Sequence, residues 1–277
     1  MFQYCVNRAA FIDRIVLSVW TEEKPVLNQL LEAKSIGVWS SKSRYARRLW
    51  GKTPVTGNPV EVLYGKASRF PRVPPCQVIM RSEEVPLTGA QVNETMRLLF
   101  PAATRIQPVL AELTFDLKNR ASVLYLYRHM IHGARRVVEL SDLDGRTTVY
   151  IGSPNSPWQI RIYDKAKPKG IVRLELILRS NLLFGFGIRQ PDTVVTLRSI
   201  KLKSMFSLRR FSRARLAAAA DGWRDVVRRE IVGEWEEYGG TAQLLCRMLR
   251  GRGDESRLFP QSGLQRTVEK MQKNLIW

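Results

Sequence analysis

Four stretches of strand type follow one another between residues 135 and 179, and they leave the chain little freedom in its choice of fold. They read RRVVEL (135–140), RTTVYIGS (146–153), WQIRIYDK (158–165) and IVRLELILR (171–179). Each is rich in β-branched and aromatic residues, and turn-forming DLDG and SPNSP separate the first three. Upstream, FIDRIVLSVW (11–20), VEVLYG (60–65), CQVIMR (76–81) and PVLAELTFDL (108–117) read the same way. Helices are expected among them. KPVLNQLLEAKSIG (24–37) sets Leu27, Leu30 and Leu31 at helical spacing before a glycine. TGAQVNETMRLLFP (88–101) opens on Thr88 and stops at a proline. Residues 119–132 predict a third helix. Clustered strands mixed with helices define an α+β chain, with a central, largely antiparallel or mixed β-sheet, flanking helices and a helical C-terminal region.

The composition changes near residue 190. From Thr196 to Leu216 the chain carries Arg198, Lys201, Lys203, Arg209, Arg210, Arg213 and Arg215 with no acid, interleaved with Phe206 and Phe211. The remainder reads as helical. The expected organisation is a first domain over 1–190 and a basic helical domain over 191–277 that binds DNA or a partner.

The whole chain has 45 Lys and Arg against 25 acids in 277 residues, a net charge of +20. A polyanionic partner is the simplest reason to tolerate that self-repulsion, and nucleic acid is the leading choice. No apolar run approaches the roughly 20 residues that span a bilayer. The opening MFQYCVNRAAFIDR lacks an uninterrupted apolar stretch, so no secretory signal and a cytoplasmic location are expected. The scattered Cys5, Cys76 and Cys246 suit reduced thiols rather than a disulfide frame.

Alternation along a strand puts Arg161, Tyr163 and Lys165 on one face and sends Ile160 and Ile162 to the other. In ELTFD, Glu112 and Asp116 share a face with Thr114 between them. In RLELILR, Arg173 shares a face with Glu175. On neighbouring strands these acids would form an oxygen-rich site suited to Mg²⁺ or Mn²⁺. A phenol is a poor nucleophile at neutral pH, but cations beside it favour the phenolate and hold phosphate. Its attack on a phosphodiester would leave a covalent phosphotyrosyl intermediate. The same residues also admit a plain reading: a strand tyrosine that packs, and acids that face solvent or pair with arginine.

Taken in order, ELTFD, YIGS (150–153), RIYDK (161–165) and RLE (173–175) resemble the replication initiation factor family: initiators of rolling-circle plasmids, with related phage replication proteins and relaxases. The resemblance covers roughly residues 35–185 and is strongest over 108–180. It implies a site-specific, metal-dependent single-strand DNA endonuclease and strand transferase. Tyr163 would be the nucleophile joined to the 5′ phosphate. Arg161, Lys165 and Arg173 would support it, and Glu112, Asp116 and Glu175 would hold the metal. It also implies a replication origin as partner, single-stranded or extruded as a hairpin, with a host helicase and a homodimer as further partners and no membrane. Two departures stand out. The first acid is Glu112 where the family commonly has Asp, and AKPKG follows Lys165 where many relatives carry a Glu.

Other candidates are weaker. His129 and His132 in HMIH lack a third ligand nearby, and Tyr150 lacks flanking cations. No complete phosphate-cradling glycine loop is present. SKSRYARRLWGK (41–52) carries Arg44, Arg47 and Arg48 beside Tyr45 and Trp50, a pattern suited to backbone contact and base stacking. A non-catalytic DNA-binding regulator that keeps the fold and the basic surface is the alternative function, and an RNA-binding protein is a third.

Overall fold

The structure is a computed structural model and describes residues 10–209 and 262–277, apart from 23, 38–43, 55, 67–72, 84, 104, 119–121, 143–145 and 166–169. Its strands are β1 Ala10–Trp20, β2 Leu31–Gly37, β3 Tyr45–Lys52, β4 Pro59–Lys66, β5 Cys76–Arg81, β6 Arg105–Lys118, β7 Met130–His132, β8 Val137–Ser141, β9 Thr147–Ile151, β10 Trp158–Asp164, β11 Ile171–Arg179 and β12 Phe206–Leu208. Among the described residues ten of them form one sheet in the order β2-β3-β4-β5-β1-β6-β11-β10-β9-β8, while β7 and β12 make a separate ribbon. The named strand pairs are all antiparallel. The expected α+β class with a largely antiparallel sheet is what the chain adopts.

Alternation decides which face is core. Ile15, Leu17 and Val19 of β1, Leu113 and Phe115 of β6, Ile160 and Ile162 of β10, and Leu174 and Leu176 of β11 all join one buried cluster. Helices cover that face. α1 (Gly89–Leu99) adds Val92, Met96 and Leu99; α3 (Ser180–Gly185) adds Leu183; α4 (Gly263–Lys273) adds Val268 and Met271. α1 starts on Thr88, whose hydroxyl accepts from the Gln91 amide while the Gln91 side chain accepts from the Thr88 amide. This reciprocal cap satisfies two of the helix's free N–H groups. Among the described residues no helix is long and apolar enough to cross a membrane. Cys76 is buried, which pushes its thiol up to about 11 and keeps it unreactive.

Three expectations need correcting. The helix over 24–37 is a short 3-10 turn at Leu27–Gln29 followed by β2. Its three leucines mimic a helical stripe, but Leu31 is exposed, and pairing along β3 outweighs a propensity difference of a few tenths of a kcal/mol per residue. The helix over 119–132 is only α2, Val123–His129, because Met130–His132 extends to pair with β12. Beyond 190, Pro191–Arg198 and Leu202–Ser204 are 3-10 segments followed by β12 rather than α-helix. Residues 210–261 lie outside the described residues. The described residues on both sides of position 190 share one core, with Val194, Leu197 and Phe206 in the same cluster as the sheet. The C-terminus returns to β1, where the Ile276 amide donates to the Ala10 carbonyl at 2.9 Å.

The YIGS turn after β9 depends on its glycine. Gly152 has φ +100°, and a Cβ there would meet the Trp158 carbonyl oxygen at 3.0 Å. Its carbonyl also accepts from the buried Gln159 amide at 3.1 Å. Gly152→Ala is expected to cost about 1–3 kcal/mol through that backbone strain. Thermal unfolding should show a midpoint lower by about 2–4 °C per kcal/mol. An unchanged midpoint would refute the strain.

Candidate active site

The functional candidates lie on the sheet face opposite the core, where β10, β11, β6, β1 and β5 are consecutive neighbours. Register sets them in rows. Tyr163 faces Arg173, which faces Asp116. Arg161 faces Glu175, which faces Thr114. Ile177 faces Glu112, Glu112 faces Arg14, and Arg14 faces Arg81. All seven residues expected at the site from the sequence therefore stand on three adjacent strands or directly after them.

Their contacts are specific. The Tyr163 hydroxyl donates to Glu175 Oε1 at 2.6 Å. Arg161 Nε donates to Glu175 Oε2 at 2.5 Å, and its guanidinium lies 5.2 Å from the Tyr163 ring. Arg173 holds Asp116 with two bonds, Nε at 2.6 Å and Nη2 at 2.9 Å, and reaches Asp13 at 3.1 Å. Lys165 Nζ is 3.5 Å from Asp116. Glu112 accepts from Arg14 Nη2 at 2.5 Å.

Burial shapes the proton affinities. Glu175 is wholly buried, and its carboxyl is raised above the ordinary range by desolvation, against the pull of Arg161 and of the Tyr163 hydrogen bond. Burial likewise raises Glu112, with Arg14 opposing and the Glu175 charge reinforcing. Tyr163 is pushed well up, first by burial and then by the Glu175 charge. The resting hydroxyl is therefore a neutral phenol with a strong proton acceptor already in contact. Burial works against the charge of Arg173, but Asp116 and Asp13 more than offset it and keep it cationic.

The donor chemistry suits a hard cation, but the arrangement does not. Each of Glu112, Asp116 and Glu175 carries an arginine, and the four acids Asp13, Glu112, Asp116 and Glu175 meet four cations, Arg14, Arg161, Arg173 and Lys165. Among the described residues no three acidic, histidine or cysteine side chains group closely enough to hold an ion. One oxygen stands apart: Thr114 Oγ1, between Glu112 and Asp116 and opposite Glu175, is buried with no hydrogen-bond partner.

Sequence reasoning missed Phe11, Asp13 and Arg14. A bulge in β1 between Ile12 and Arg14 lets Asp13 reach Arg173 and turns Arg14 onto Glu112. The signal was legible: DR interrupts an otherwise apolar strand. Phe11 lies beneath Arg173, 5.3 Å from its guanidinium.

The expected DNA-binding cations divide. Arg44, Arg47 and Lys201 are exposed, and Arg47 lines a cleft with Lys24, Lys66 and Tyr64. Arg48 is engaged by Glu61. Arg198 is exposed and donates twice to the Leu275 carbonyl, at 2.7 and 3.1 Å. Lys203 is 4.0 Å from Glu269, and Arg209 donates to Ser207. Arg210, Arg213 and Arg215 lie outside the described residues. His129 stacks on Tyr125, and His132 is buried in β7, so the HMIH pair is packed apart rather than set as two ligands. Tyr150, opposite Arg161 on β9, is half-buried.

No family model matches the chain, and no curated protein matches it. Among solved structures it is similar to a rolling circle replication initiator protein from Geobacillus stearothermophilus, at 15% identity over 74% of this chain and 88% of that one, with a TM-score of 0.47. A likeness at this level carries no residue role and no activity to this chain.

Proposed function

We propose that the chain nicks and rejoins single-stranded DNA to start rolling-circle replication, with Tyr163 as nucleophile. The observation that supports this best is the 2.6 Å hydrogen bond from a half-buried tyrosine to a wholly buried glutamate, with arginines on both sides. Tyr163 Oη attacks the phosphorus, and its proton passes to Glu175 Oε1. The bond from phosphorus to the 3′ oxygen breaks, and that oxygen takes a proton from solvent to become a 3′ hydroxyl. The 5′ phosphate remains on Tyr163. Arg161 and Arg173 offset the charge that develops on the phosphoryl oxygens. The reverse sequence rejoins the strand.

The expected Mg²⁺ or Mn²⁺ would meet Glu112, Asp116 and Glu175 only if Arg14, Arg173 and Arg161 released them, so no step here runs through a metal. DNA is the partner in this reading, and a host helicase and a second copy of the chain are proposed with it. Residues 1–190 would carry the chemistry. The basic segment beyond would contribute DNA or partner contacts.

Incubating the full chain with labelled single strands that carry candidate origins tests the reaction class. A denaturing gel should show a protein–DNA adduct that Tyr163→Phe abolishes and Tyr150→Phe keeps. The charge balance of the site favours a second reading, a DNA-binding protein without catalysis. Binding without adduct or nick across a broad origin set would select it.

A further inference from the structure

Two arginines stand directly opposite each other on neighbouring strands beside the Tyr163 site. Arg14 of β1 is the register partner of Arg81 of β5, on the face that carries Glu112. Like charges in that relation destabilise a sheet. Neither is fully compensated. Arg14 commits Nη2 to Glu112, but its Nε–H is buried with no acceptor. Arg81 is exposed, and among the described residues it makes no ion pair or hydrogen bond. The Arg14 side chain is 30% exposed despite its bond to Glu112, so two partly or fully exposed guanidiniums, side by side, match the oxygens of one phosphodiester.

Their position relative to the tyrosine is also fixed. On one sheet face Tyr163 and Arg161 of β10 both bond Glu175 of β11, and Glu112 of β6 bonds Arg14 of β1, the register partner of Arg81. From β10 to β5 is four strand spacings, or about 19 Å at roughly 4.8 Å each. An extended strand with one phosphate at Tyr163 would bring a phosphate a few nucleotides away to the arginine pair. The tyrosine hydroxyl lies down against β11, so the nucleic acid must lie flat on the sheet at both points. A single strand can turn both phosphates down onto the sheet, whereas a duplex strand winds about half a turn over that distance and carries its second phosphate away.

We propose that Arg14 and Arg81 form a phosphate-binding subsite that seats a single DNA strand flanking the one attacked by Tyr163. The proposal rests on the reading of the Tyr163 face as a DNA site. It adds to that reading two residues and a direction for the strand, across the sheet from β10 towards β5.

The test uses the full chain carrying Tyr163→Phe, which binds but does not react. Its affinity for a fluorescent single strand of mixed sequence is followed by anisotropy over a salt series, with the matched duplex in parallel. Adding Arg81→Gln should weaken single-strand binding several-fold. It should also make the slope of log affinity against log salt shallower by about 0.7, the value for one lost phosphate contact on a single strand. Arg14→Gln should do the same, and the unperturbed melting temperature of Arg81→Gln should show that the fold is intact. Arg97→Gln, on exposed α1 behind the sheet, is the charge-matched control and should move neither quantity. An Arg81→Gln variant that binds like its parent, or loses no more than Arg97→Gln, overturns the subsite and leaves the nicking site standing. An equal loss on the duplex overturns the choice of a single strand. A parent that binds no single strand and a native chain that forms no adduct bring down the DNA reading itself, and the subsite with it.

Discussion

Glu175→Gln is expected to slow adduct formation by about 10²–10⁴-fold while leaving DNA affinity nearly unchanged. Glutamine keeps the size of the side chain and can still accept the Tyr163 hydrogen bond, but it cannot take the proton. Single-turnover cleavage at saturating protein separates this loss from a loss of binding. The pH profile makes the assignment specific. In the proposed mechanism the proton passes to ionised Glu175, whose proton affinity burial has raised, so activity should fall with acidification at a pH above the ordinary carboxylate range. The sign for stability is opposite. A carboxyl raised in the folded state contributes stability in its protonated form, so acidification through this window strengthens the fold as far as Glu175 is concerned. Inactivation should therefore precede unfolding. A native profile with no acid limb, or one that Glu175→Gln retains, would remove Glu175 from the proton transfer.

Arg173→Ala should be the most damaging single change to the fold in this region. Its guanidinium makes two bonds to buried Asp116 and one to Asp13, and the side chain is 9% exposed. Removing it leaves buried Asp116 with Lys165 at 3.5 Å as its remaining cation and none of its arginine hydrogen bonds, at a cost of about 3 kcal/mol, the low end for a broken buried pair. Chemical denaturation should show the loss as a lower midpoint with an unchanged slope. Replacing Arg173 and Asp116 together by leucines should recover most of it, because two apolar side chains need no partner. If the double variant is no more stable than the single one, the deficit comes from lost packing over Phe11 rather than from stranded charge.

The strands were legible because their side chains alternate over long runs. β6, β10 and β11 carry acids and arginines on one face and leucine or isoleucine on the other, so both the strands and the site face could be read directly. The adjacency of those strands was not in the periodicity. It entered through the resemblance, and the register then brought Tyr163, Arg173 and Asp116 into one row. Residues 24–37 misled because leucines at 27, 30 and 31 satisfy a helical spacing that local sequence alone cannot distinguish from an edge strand. What the pattern hid most fully was the role of the arginines. Arg14, Arg161 and Arg173 each take up a carboxylate that spacing alone would offer to a metal. Spacing records which face a side chain occupies, and says nothing of which neighbour claims it.

The pairing of Ile276 with the start of β1 has a consequence for the order of folding. The first residues of β1 bring Phe11 and Asp13 under and beside Arg173, and among the described residues Ile276 closes one side of that stretch from the far end of the sequence. Contacts this distant in sequence form late.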